Sequence, residues 1–479
     1  MLANVRRWLP IALVAVTALW LRTHDLDVRP MHADEANQAV KVGALLERGH
    51  YEFDPADHHG PTLYYAALPI AWLRGERNLE ALSETTVRLV PALSGTVSVL
   101  LLYFFAAASG RRAAITAAAF LAIAPASVYY SRYFIQESSL LAFFLATIVC
   151  TQRWWRSGNW RWALVAGVGA GLMQATKASA PLFIFAALIA LWVVRTNSFQ
   201  ATRPKRDFAV FLGAFFLSAA LFYSSFGTHL GGLSDALRTY APASGRVTEG
   251  SGHEKPWFYF LSLFGWQRSG GLLWQQLLFA GFALGGALVA LRHSRPFLRG
   301  ALIYTTVVGI ALSVTPYKTP WHVIHLIPGI ALLAAGALAA IPFRRVAIVL
   351  AAFVIFSQWR QTNLAVFLRP ADARNPYAYV HSSPDVRKVR GLAESALANS
   401  PRGAIRVISE EYWPLPWYFR GLDRVGYWSL PPDDCDAAMI LASAANTDAV
   451  RSRLRGRYRE SFLGLRPGFI CTVFIEESP

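Results

Sequence analysis

The chain has 479 residues, 54% of them hydrophobic, and a mean hydropathy of +0.33. That is too apolar for a water-soluble protein of this size, and the apolar residues fall in long runs rather than at a spacing of two or 3.6, so membrane spans are the natural reading. The net charge of +17 would suggest nucleic acid in a soluble chain. Here the Lys and Arg cluster between the apolar runs, which the positive-inside rule and attraction to anionic lipid explain, and nucleic acid is set aside as a partner. Many of the 16 Trp and 18 Tyr stand at the ends of runs, as an interfacial belt requires. The cysteines Cys150, Cys435 and Cys471 have no metal-ligand spacing, and the last two could pair if they lie outside the cell.

Arg6-Arg7 precede an apolar run at 8–21, and no small-residue cleavage site follows it, so the run reads as a retained span with the N-terminus in the cytoplasm. Residues 23–85 then form a polar first outer loop with two short apolar helices, 36–48 and 62–73, lying in the membrane interface; Gly49 stops the first. Further spans are expected at 86–108, 113–130, 138–151, 160–175, 179–194, 208–226, 271–291, 301–315, 321–341 and 346–358, which makes about eleven. With this count every inside loop is basic: Arg111-Arg112, then Arg153, Arg156 and Arg161, then Arg195, Arg203, Lys205 and Arg206, then Arg292, Arg295 and Arg299, then Arg344-Arg345. The short outside loops hold one cation each, Arg132, Lys177 and Lys318, whereas one missed span would invert every loop after it. From 361 to 479 the chain is polar, with strands expected at 404–409, 424–428, 437–441, 458–463 and 469–475 and helices at 385–399 and 446–454. The expected architecture is therefore an α-helical polytopic membrane region, 1–360, followed by a small α/β extracytoplasmic domain, 361–479.

The candidate chemistry gathers on the outer face, where His32, Asp34, Glu35, His58, His59, Arg132, Gln136, Glu137, Lys177, Lys318, His322 and His325 all map. Ionisable groups at span ends are costly unless paired or hydrated, and they mark functional sites. Asp34 and Glu35 begin a helix, and adjacent helical side chains diverge by ~100°, so they do not share a proton. One could be a base and the other a capping or orienting group; in the plain structural reading, Asp34 simply caps the helix. His58-His59-Gly60-Pro61 could ligate a metal with His32 or Glu35. Adjacent histidines seldom reach one ion, so a hydrogen-bonding role in the substrate pocket, with Tyr64 beyond the turn, is preferred to the set His32, Glu35, His59. In Ser131–Glu137, Arg132 offers a planar fork for phosphate, with Gln136 and Glu137 holding it or binding sugar, or else it anchors the interface. Lys318, between Tyr317 and His322 in a tight loop, has no local carboxylate and could neutralise a lipid-phosphate leaving group; Lys177 is a weaker version of the same idea.

Asp34-Glu35 after the first span, His59-Gly60-Pro61, the 131–137 stretch and Tyr317-Lys318-Thr319-Pro320-Trp321 together resemble the GT-C membrane glycosyltransferases. These include the family-39-type protein O-mannosyltransferases and the aminoarabinose transferase of lipid A, and the wording is nearest the prokaryotic flippase-activity-associated subgroup. The resemblance spans roughly residues 5–360. It implies an enzyme that takes sugar from a polyprenyl-phosphate donor on the extracytoplasmic side of the cell membrane and passes it, with inversion, to an acceptor lipid, glycan or protein. It implies Asp34 as the base, Arg132 and Lys318 at the lipid phosphate, and no required cofactor, a divalent metal remaining possible. The alternative is a non-catalytic flippase-associated or transport component. One departure stands out: after Ala175-Thr176-Lys177 the subgroup has an acidic residue and this chain has Ala178-Ser179, which puts an ion pair from Lys177 in doubt.

Overall fold

The computed structural model describes residues 2–57, 59–194, 202–241, 252–293 and 295–477. Helix α1 is Leu2–Thr23; α2, Ala33–Arg48, and α3, Thr62–Leu73, form the first loop. Then come α4 Glu84–Ala106, α5 Arg111–Ile123, α6 Pro125–Tyr130, α7 Glu137–Ser157, α8 Trp160–Gln174, α9 Ala180–Val194, α10 Pro204–Tyr223 and α11 Gly231–Arg238. After α11 follow α12 Leu277–Arg292, α13 Pro296–Val314, α14 Ile327–Ala340 and α15 Arg344–Thr362. A helix thus lies over each of the apolar runs read from the sequence. Three of them, α4, α10 and α13, are long and apolar enough to cross a membrane by length and composition. Outward-facing apolar side chains such as Phe185, Leu188 and Trp192 on α9, Phe216 and Leu217 on α10, and Leu284, Leu288 and Leu291 on α12 leave a broad surface that water would not tolerate.

Local chemistry explains where the elements depart from the runs. The run at 113–130 is two helices, because Pro125 forces Ala124 out of the helical region (φ −59°, ψ 128°) and starts α6. The run at 271–291 begins as a strand: Trp266–Ser269 (β1) and Leu272–Gln275 (β2) pair antiparallel across Gly270-Gly271, both at positive φ, and α12 starts only afterwards. The run at 321–341 opens as a 3-10 turn, Pro320–His325, before α14. Glycine sets one helix contact: a Cβ at Gly167 or Gly171 of α8 would collide with the backbone of α10 at Phe211 or Phe215.

The C-terminal region follows the predicted alternation closely. After a 3-10 turn at Pro384–Lys388 and α16, Val389–Asn399, come β3 Ile405–Ile408, β4 Val425–Trp428, β5 Met439–Ser443, β6 Tyr458–Arg466 and β7 Phe469–Glu476. The sheet order is β4-β3-β5-β7-β6, parallel among β4, β3 and β5 and antiparallel from β5 onward. The boundary drawn at 360 falls inside α15, which runs to Thr362. The sheet region also shares one apolar core with the first loop: Met31, Ala39, Val42 and Leu63 pack in the same cluster as Val389, Ile405, Trp417 and Val473. Hydrogen bonds stitch the seam, from Met31 N–H to the Tyr418 hydroxyl (3.0 Å), from the Trp417 indole to Glu84 (2.8 Å) and from Arg387 to the Val28 carbonyl (2.6 Å). Cys435 and Cys471 do not pair; both are buried free thiols.

Candidate active site

The start of α2 is a capping box built on His32. Its Nδ1 accepts from the Asp34 N–H (3.1 Å), and the His32 N–H donates to Glu35 Oε2 (3.1 Å). Glu35 then turns fully inward. Its oxygens accept from Arg29 Nη2 (3.0 and 3.1 Å), Arg88 Nε (2.9 Å) and Nη2 (3.0 Å), and the Phe134 N–H (2.9 Å). Burial alone would raise its carboxyl, but the Arg29 and Arg88 charges outweigh burial and hold it well below the usual carboxylate range. Asp34 is the opposite case, with a side chain 47% exposed whose Oδ2 lies 3.9 Å from His32 Nδ1. Of the two carboxylates, only Asp34 is open to a reactant. Glu35 is enclosed, and with its oxygens filled it leaves the metal set His32, Glu35, His59. Among the described residues no group of three or more His, Cys, Asp or Glu is arranged to hold a metal.

From Asp34 a polar and aromatic path crosses to the other loops. His32 Nε2 meets the Tyr379 carbonyl (3.1 Å), and its ring lies against Tyr133, His381 and Trp321. The Tyr379 hydroxyl is 2.5 Å from His253 Nδ1, the His253 carbonyl accepts from the Lys318 N–H (3.1 Å), and the His253 ring faces Tyr317. The ammonium of Lys255 lies 5.4 Å from the centre of the Tyr379 ring. Tyr317 faces His322, whose Nε2 is 3.3 Å from Lys177 Nζ, and Lys177 pairs with Glu137. The ion pair the sequence put in doubt therefore forms, with a partner forty positions upstream. The His59-Gly60-Pro61 turn docks on the same stretch: the Gly60 N–H donates to the Thr176 carbonyl (3.1 Å), and a Cβ at Gly60 would run into the Ala175 carbonyl. All four motif pieces thus meet at one end of the helical body, beneath the C-terminal region.

Some expected pocket residues are placed elsewhere. Arg132 spends its guanidinium on the carbonyls of Leu21 (3.1 Å), His24 and Asp25 (2.8 Å), closing the end of α1, so it gives way as a phosphate ligand. Tyr64 is fully buried, donates to Gln38 and stacks edge-on against Tyr51; it is scaffold, not pocket wall. His32 has both ring nitrogens engaged and is buried, which removes it as a substrate contact. Gln136 and Glu137 are buried behind the loop, the Gln136 Nε2 with no hydrogen-bond partner among the described residues. Lys318 is 2% exposed, donates to the Thr315 carbonyl and has no carboxylate partner among the described residues. His58 lies outside the described residues.

Sequence reading missed Arg29, Arg88, His253, Lys255, Tyr379 and His381. Arg88 did carry a signal, a cation inside an apolar run. The others sit in segments without pattern, and only tertiary contact gathers them.

The model of the dolichyl-phosphate-mannose-protein mannosyltransferase family matches residues 71–223. No curated protein matches the chain's sequence. Among solved structures, ArnT from Cupriavidus metallidurans bound to undecaprenyl phosphate superposes with a TM-score of 0.69 at 15% identity, over 96% of this chain and 97% of that one. The archaeal oligosaccharyltransferase AglB from Archaeoglobus fulgidus, in complex with an inhibitory peptide and a dolichol-phosphate, gives 0.56 at 13% identity over 96% and 73%. The mycobacterial arabinofuranosyltransferase AftD gives 0.54 at 13% identity over 99% and 40%. The fold is that of the GT-C membrane glycosyltransferases, the class the motifs resemble.

Proposed function

We propose that the chain is an inverting glycosyltransferase that moves a sugar from a polyprenyl-phosphate donor to an acceptor hydroxyl on the extracytoplasmic face of the cell membrane. The observation that carries the reading is the division of labour at the start of α2, where Glu35 is sealed among arginines and Asp34 alone is open. Asp34 takes the proton of the acceptor hydroxyl while its oxygen attacks the anomeric carbon. The carbon–oxygen bond to the lipid phosphate breaks, and its electron pair leaves with the phosphate. Lys318 meets the developing negative charge, and Lys177, shared with Glu137, adds to the positive field. Carboxylates are weak general bases, so holding the acceptor in line contributes much of the rate. Because Lys177 is paired with Glu137, Lys318 supplies the net positive charge, and a divalent ion is the alternative source of further counter-charge.

The same reading takes the eleven apolar runs as spans, the run at 113–130 being broken into α5 and α6, with a cytoplasmic N-terminus and the C-terminal region outside. Basic residues at the opposite helix ends support it. Undecaprenyl phosphate in the ArnT structure and dolichol-phosphate in the AglB structure support a lipid-phosphate donor.

The test is transfer from a panel of radiolabelled polyprenyl-phosphate sugars in proteoliposomes holding the full-length protein. Transfer with inverted anomeric configuration from at least one donor is expected. Retained configuration, or no transfer from any donor that binds, would overturn the reading and favour a non-catalytic, flippase-associated role.

A further inference from the structure

We propose that His32 is a positioning residue for Asp34, locked in one neutral tautomer and tied to the segment that leads into the C-terminal region; this rests on Asp34 as the base. The protonation state follows from its partners. A backbone N–H can only donate, so the ring nitrogen facing the Asp34 N–H, Nδ1, carries a lone pair (3.1 Å). A carbonyl can only accept, so Nε2, facing the Tyr379 carbonyl at 3.1 Å, carries the proton. One imidazole thus caps α2 at the base and fastens that cap to Tyr379. Tyr133, Trp321 and His381 crowd the ring on its other sides and fix its rotation. An ordinary helix cap needs only a short Ser, Asp or Asn. A histidine spans the added distance to Tyr379, so the loop between α15 and α16 sets where the Asp34 backbone sits.

Two measurements test this. Nitrogen-15 NMR of the histidine side chains of the full-length protein in nanodiscs, with the His32 signal assigned by its loss in His32→Asn, is expected to show Nε2 protonated and Nδ1 bare. The Nδ1-protonated tautomer or an imidazolium at neutral pH overturns the inference. In transfer assays, His32→Ala is expected to lower kcat roughly tenfold or more, as small displacements of a reacting group do, with donor KM within about twofold of wild type. His32→Asn keeps an acceptor for the Asp34 N–H and is expected to recover kcat to within about threefold. A wild-type kcat in His32→Ala, or a loss confined to KM, overturns the inference. So does equal loss in both variants with a matching fall in melting temperature. Asp34→Asn run alongside separates the two ideas: if it is inactive while His32→Ala is not impaired, the positioning role alone fails, and if it is active the base assignment fails.

Discussion

Asp34 and Glu35 share a peptide bond and stand in opposite environments: the first is half exposed, the second lies fully buried between the guanidinium groups of Arg29 and Arg88. A helix start makes this separation possible, because successive side chains there diverge by ~100° and one can turn into the core while the other looks out.

Removing the Glu35 charge leaves two buried guanidinium groups facing each other. Glu35→Gln is expected to cost about 3–5 kcal/mol, the range for breaking a buried pair from one side. The carboxyl is depressed in the fold, so its stabilisation is complete above the ordinary Glu value of about 4.3 and declines as pH falls below it. Thermal melts from pH 7 to pH 3 should show an acid slope in wild type that is shallower in Glu35→Gln, where depressed carboxylates such as Asp372 supply what remains. Parallel pH profiles would contradict the assignment.

Arg132 and Lys318 separate structure from donor binding. Arg132→Ala removes three bonds to the end of α1 and is expected to lower stability by roughly 1–3 kcal/mol, with donor KM within about twofold of wild type. Lys318→Ala is expected to reduce kcat/KM for the donor by about 100-fold, the scale for losing one preorganised charge at a leaving group, with little change in melting temperature. Steady-state kinetics and melts on both variants decide the matter; the reverse pattern would return the phosphate to Arg132.

Lys177 and Glu137 are buried against each other. A double-mutant cycle with Lys177→Met and Glu137→Gln is expected to give a coupling of about 1–3 kcal/mol in unfolding free energy. Additive effects would mean the pair is not formed in the membrane.

Gly60 has no room for a side chain because the Ala175 carbonyl occupies the position. Gly60→Ala is expected to destabilise by roughly 1–3 kcal/mol, the cost of overpacking, and to lower activity by shifting the 175–177 turn that carries Lys177. An unchanged melting temperature in Gly60→Ala would show that this contact is looser than drawn.

Much of this architecture is legible in the sequence. Apolar runs mark the long helices, and basic loops order them. The alternation in 404–475 gives the five strands with ends within about three residues, because strand and turn chemistry there is local. The interior breaks were not legible in the same way: Pro125 splits a run that hydropathy alone joins, and the Gly270-Gly271 hairpin hides in an apolar stretch. At the site, proximity in sequence suggests Asp34, Glu35 and Lys318 as candidates. It cannot say that Glu35 faces Arg88, that Lys177 reaches Glu137, or that Tyr379 returns from beyond α15 to hold His32. Those are facts of packing between elements up to 347 positions apart.

The most direct test of the account is sugar transfer by Asp34→Asn against wild type, in proteoliposomes with whichever donor the panel identifies. Asparagine keeps the size and shape of the side chain and removes its basicity. The account predicts a loss of kcat of at least about 100-fold, the lower scale for a general base, with donor binding and melting temperature preserved. Full activity in Asp34→Asn would contradict it.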